Sequence, residues 1–145
     1  MAYNIHTLPN GLRIIHAPNQ SAVAYCGYAI DAGTRDAADH EQGMAHFVEH
    51  LLFKGTKKRH AWHILNRMEH VGGDLNAYTN KEETVVYSAF LAEHFPRAVE
   101  LLSDIVFHST FPQHEIDKER GVILEEIDCY EDNPAELIFD DFEDI

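Results

Sequence analysis

The chain has 145 residues, 45% of them apolar, with 11 Lys/Arg against 25 Asp/Glu and a formal charge of −14. That excludes a disordered acidic tail, holds no apolar run long enough to span a membrane, and disfavours binding nucleic acid through its phosphates. Length points to one domain with a real core, and two cysteines make no disulfide framework, so a reduced cytoplasmic setting is expected.

In chain order, the first third reads as strands. Tyr3–Leu8 is extended, Pro9-Asn10-Gly11 is a turn signal, and Leu12–His16 returns. Val23–Ile30 is a third strand, rich in β-branched, aromatic and small residues. A helix is expected over Asp39–Phe53, capped by Asp39, with Met44, Phe47, Val48, Leu51 and Leu52 as its core face. A second helix follows near His60–Val71 and stops at Gly72-Gly73. Asp74–Thr79 and Thr84–Phe90 read as two strands joined by a polar turn. Glu93–His108 is a third helix, with Pro96 in its first turn. A fourth is expected to start at Thr110 as N-cap and run to about Tyr130, and a fifth from Ala135 places Ile138, Phe142 and Ile145 inward. Strands, helices, two strands, then helices argue for an α+β fold, an antiparallel or mixed sheet with helices packed on one face.

The sharp feature is His46-Phe47-Val48-Glu49-His50. At about 100° per residue, with His46 at zero, Glu49 falls near 300° and His50 near 40°, while the apolar set lies at about 100–240°. Two imidazoles one turn apart can share a metal ion, with a carboxylate beside them that need not be a ligand. Composition alone would produce this motif by chance about 0.08 times in such a chain. The bland alternative is a solvated polar face on a packed helix.

A zinc ion still needs a third protein ligand. Glu119 and Glu126 are seven apart, on one stripe of the fourth helix with Val122 and Ile123 between them. A carboxylate among apolar neighbours is unusual on a merely solvated face. Spacing leaves Glu125 open as an alternative to Glu126.

These residues resemble the insulinase or pitrilysin family of zinc peptidases, whose signature runs His-x-x-Glu-His, and especially its mitochondrial-processing-peptidase-like branch. The resemblance extends through Leu8-Pro9-Asn10-Gly11-Leu12, Asp31–Asp36, Leu52-Phe53-Lys54-Gly55-Thr56, Gly72–Thr79 and Glu119–Ile127. It implies a LuxS/MPP-like metallohydrolase half-unit, here truncated. Residues 1–145 would be the N-terminal part of the zinc-binding domain, with the rest of that domain and a second homologous half downstream. His46, His50 and Glu126 would bind one Zn2+ per chain, and Glu49 would be the general base. Glu119 would support catalysis by orienting a ligand. Asn76, Ala77 and Tyr78 would hold a peptide substrate as an added edge strand. A second homologous domain or subunit would close a chamber around it. The implied function is zinc metalloendopeptidase activity on extended or unfolded segments; the alternatives are a non-catalytic homologue or a zinc-binding but inactive fragment.

The other residues have plainer readings. The remaining histidines are expected on the surface, Trp62 in packing, and Cys26 and Cys129 as free buried thiols. Residues 111–145 hold 13 acids against Lys118 and Arg120, a net −11. That stretch reads as a solvated helix face, or as an acidic wall favouring basic peptides.

Overall fold

The computed structural model describes residues 3–143, without the side chains of Asp39, Glu131, Glu136, Phe139, Asp140, Asp141 and Glu143. The expected Asp39 cap and the expected inward Ile145 lie outside what is described. Strands β1 (Asn4–Thr7) and β2 (Arg13–His16) form a separate antiparallel hairpin. Strands β3 (Val23–Ile30), β4 (Asp74–Thr79) and β5 (Thr84–Leu91) form an antiparallel sheet in the order β3-β5-β4. Asn76 lies opposite Tyr87 and Cys26 opposite Ser88, so β5 is the central strand and β4 is an edge.

Helices cover one face of this sheet. Helix α1 (Met44–Leu52) and helix α2 (Ala61–Glu69) pack on β4, and helix α3 (Phe95–His108) packs on β3 and β5. On β5, Thr84, Val86, Ser88 and Phe90 are buried while the residues between them are not, the alternation of a half-covered strand. The core is Ile64 and Met68 from α2, Val86 and Phe90 from β5, and Ala98, Leu101, Leu102 and Ile105 from α3. Tyr25 and Tyr78 stand exposed on the uncovered sheet face. Helix α4 (Gln113–Glu131) leans on α1, and helix α5 (Pro134–Glu143) follows it, touching α4.

A buried charge network ties the segment before α2 to α3. Asp104 is 2% exposed and accepts from Thr56 Oγ1 at 2.7 Å and from the Arg59 guanidinium. Burial pushes its carboxyl up, but the bonds from Thr56 and Arg59 outweigh this and hold it below the usual carboxylate range.

Several expectations need correction. Helix α1 starts at Met44, not Asp39, because Asp39–Glu41 is a short 3-10 turn and Gly43, at φ +83°, breaks the path into the helix. Its apolar face is covered only at the C-terminal end: Leu51 and Leu52 are buried, whereas Met44 and Val48 are exposed. Thr110 does not cap α4. Phe111, at φ +46°, turns the chain there, Pro112 takes the N-cap position, and Thr110 Oγ1 donates to the Gly55 carbonyl at 3.4 Å. Ile138 and Phe142 are exposed, as is Cys129, and Trp62 is 62% exposed because it sits on the outer side of α2.

Candidate metal centre

The site is made where α1 meets α4. His46 and His50 are one turn apart on the side of α1 away from the buried Leu51 and Leu52. Across from them, α4 presents Glu119 and Glu126, two turns apart, with Ile123 buried between them at the helix contact. Val122, expected on the same stripe, is exposed.

Three donor atoms converge. His46 Nε2 and His50 Nε2 are 3.1 Å apart, and Glu126 Oε2 lies 3.5 Å from the first and 3.6 Å from the second. This trio is the only group of three or more potential metal ligands among the described residues. Tetrahedral zinc with bonds of about 2.0–2.2 Å places neighbouring donors about 3.3–3.6 Å apart. The two contacts to Glu126 fall at that spacing, the His46–His50 pair at 3.1 Å lies just inside it, and the donors are the nitrogen and oxygen atoms zinc prefers, so the residues present fit the ion. Glu125, one residue from Glu126, is exposed on the same cleft but outside the trio.

Glu119 stands behind His50. Its Oε2 is 3.1 Å from His50 Nδ1, and its Oε1 is 2.6 Å from Lys54 Nζ. Burial pushes its carboxyl pKa up, but hydrogen bonds and charge from Lys54 and His50 prevail and hold it below the ordinary carboxylate range. An ionised Glu119 only accepts, so His50 must carry its proton on Nδ1. In the neutral ring Nε2 then carries the lone pair, directed toward His46 and Glu126. Lys54 is a site residue to which the sequence analysis assigns no role. The missed signal was its i+4 spacing from His50, which continues the stripe of His46 and His50.

Glu49 is half-buried and makes no hydrogen bond or ion pair among the described residues. Asn76, Ala77 and Tyr78 lie on β4, the strand on which α1 packs, and are not part of the trio. Asn76 Oδ1 accepts from the Ala77 N–H at 2.9 Å, and Tyr78 OH donates to Glu83 at 3.4 Å. The strand continues into Thr79 and Asn80, which line a cleft of about 1470 Å³ together with His46, Glu125 and Glu126. That wall is pinned by Gly33: a Cβ there would come within 2.5 Å of the Asn80 carbonyl, and Thr34 N–H donates to that same oxygen at 3.0 Å.

The sequence model of the insulinase family, peptidase family M16, matches residues 13–144. The chain belongs to that family. M16 enzymes are zinc metallopeptidases. This M16 chain is 45% identical over 133 residues to the mitochondrial-processing peptidase subunit beta of Bos taurus, covering 92% of this chain and 27% of that protein. It is 40% identical over 137 residues to an uncharacterized zinc protease of Bacillus subtilis, covering 93% of this chain and 33% of that protein. Among solved structures, a protease from Helicobacter pylori superposes with a TM-score of 0.91 at 25% identity, covering 95% of this chain and 34% of that one. The first half of the periplasmic protease PqqL from Escherichia coli gives 0.79 at 31% identity, covering 88% and 29%. The chain therefore spans about a quarter to a third of the length of the curated M16 relatives named here.

Proposed function

We propose that this chain supplies the zinc-binding part of a metalloendopeptidase acting on extended peptides. The observation that carries the reading is the convergence of His46 Nε2, His50 Nε2 and Glu126 Oε2 beside an unpaired Glu49. His46, His50 and Glu126 would hold the ion, and Glu119, braced by Lys54, would fix the ring of His50. Zinc bound there would supply a Lewis acid that polarises the scissile carbonyl and acidifies water. Glu49 takes the proton from the attacking water and delivers it to the leaving amine. Edge strand β4 offers unpaired backbone to an extended peptide, with Asn76, Ala77 and Tyr78 as its contact residues.

The remainder of the domain and a second homologous half or subunit would close the chamber. The support is the short share of its relatives that the chain covers, and that one is named a subunit and another a first half. The isolated chain is therefore expected to bind zinc without turning peptide over, and the longer protein to do both.

In the longer protein, Glu49→Gln should lower turnover by about 10²–10⁴-fold or more while zinc content stays at one per chain. Loss of zinc in that variant, or retained turnover, would sink the base assignment. Glu126→Ala should weaken zinc binding more than Glu125→Ala; the reverse ranking in a metal titration would move the third ligand.

A further inference from the structure

The strongest feature outside the zinc corner is a second cleft, of about 280 Å³, at the start of α2. It shares no lining residue with the cleft beside the trio. Four permanent cations line it: Lys58, Arg59, Arg67 and Arg97. Residues 54–67 hold five Lys/Arg and no acid, in a chain of net −14. The cleft is thus a cationic patch on an acidic protein.

Internal pairing does not neutralise it. Arg59 is committed to Glu100 and Asp104, and Arg67 NH2 also reaches Glu100, at 3.1 Å. Lys58 Nζ stands 3.7 Å from the same Glu100, longer than a hydrogen bond. Arg97 donates only to the Arg67 carbonyl, at 3.2 Å, and meets no carboxylate among the described residues. Two carboxylates face four cations, which leaves about two positive charges uncompensated. One buried donor, Arg67 Nε, also has no partner among the described residues. The rim adds Trp62, whose ring packs edge-on against His63 and His70.

We propose that this cleft binds a phosphate group. An uncompensated charge near +2 suits a dianion, guanidinium forks match tetrahedral oxyanions, and the volume suits a single such group rather than a folded partner. Phosphate could arrive as a free ion or soluble ester, or on a lipid headgroup.

Trp62 is the only tryptophan in the chain, so its fluorescence reports on this cleft. Inorganic phosphate titrated at constant ionic strength should change Trp62 emission saturably. Arg97→Gln and Lys58→Gln should each raise the half-saturation point by about tenfold or more, the loss expected for one charge-assisted contact. Neither substitution should alter zinc binding, which separates failure here from failure of the peptidase reading. Vesicles containing phosphatidic acid distinguish the source: tighter binding than to inorganic phosphate assigns a headgroup, equal or weaker binding a soluble ligand. A non-saturating phosphate response, an unchanged midpoint in both folded variants, or binding of poly-glutamate but not phosphate would each overturn the proposal.

Discussion

Helices α3 and α4 are built from opposite materials. Helix α3 lies on the sheet and buries Ala98, Leu101, Leu102 and Ile105 completely. Helix α4 meets α1 through one buried apolar residue, Ile123, and through the polar series His50, Glu119 and Lys54, while Val122 and Leu124 remain exposed. Each fully buried aliphatic side chain contributes about 1.5–3 kcal/mol, so α3 is secured by the hydrophobic effect. Helix α4 lacks that support. Its position relative to α1 rests on directional contacts, and a metal shared between the two helices would add to them. The fold is therefore held in one place and the site in another.

The sharpest test of that contrast is truncation on each helix. Leu101→Ala should cost about 2–5 kcal/mol in chemical denaturation, whereas Val122→Ala should stay within about 0.5 kcal/mol. Equal losses would show that α4 is part of the same cooperative core. Next is Lys54→Met, which frees one side of Glu119. It should weaken zinc binding by about 10–100-fold with little change in the melting of α3, because outer partners tune a site without making it. A loss of overall stability with unchanged zinc affinity would make Lys54 a plain surface cation. The smallest effect expected is on the pH profile. Asp104 and Glu119 have folded-state values below the ordinary carboxylate range, so the stability they add is fully present above the unfolded value near 4. It is lost as pH falls through the folded values. Denaturation midpoints should drop on acidification from about pH 5 downward, and Asp104→Asn should flatten that slope. An unchanged slope would show that the Asp104 network adds nothing through its charge.

What could be read from the sequence follows the same division. Strands β3 and β5 and helices α2 and α3 lie where their apolar periods put them, because burial on one face leaves a strong pattern. The pairing of His46 with His50 was also legible, since helix geometry alone sets it. Met44 and Val48 broke the pattern: their spacing is that of a core face, but they stay 49% and 37% exposed. The start of α1 was misread because a left-handed Gly43 outweighs an acidic cap several residues earlier. Lys54 continues the stripe of His46 and His50 by spacing, but its partner Glu119 is 65 positions away, and that contact leaves no trace in the spacing.

The two histidines of the trio are not interchangeable. His50 uses both ring nitrogens, Nδ1 toward Glu119 and Nε2 toward His46 and Glu126. Only imidazole offers two opposed nitrogens on one rigid ring, so neither a thiol nor a carboxylate at this position could face the ion and still hold Glu119. His46 contributes Nε2 alone, and its Nδ1 has no hydrogen-bond partner among the described residues. Were the trio to hold an ion as proposed, position 46 would be the one where a designer could exchange the donor, for example for Cys, and retune which metal is preferred. Position 50 offers no such latitude.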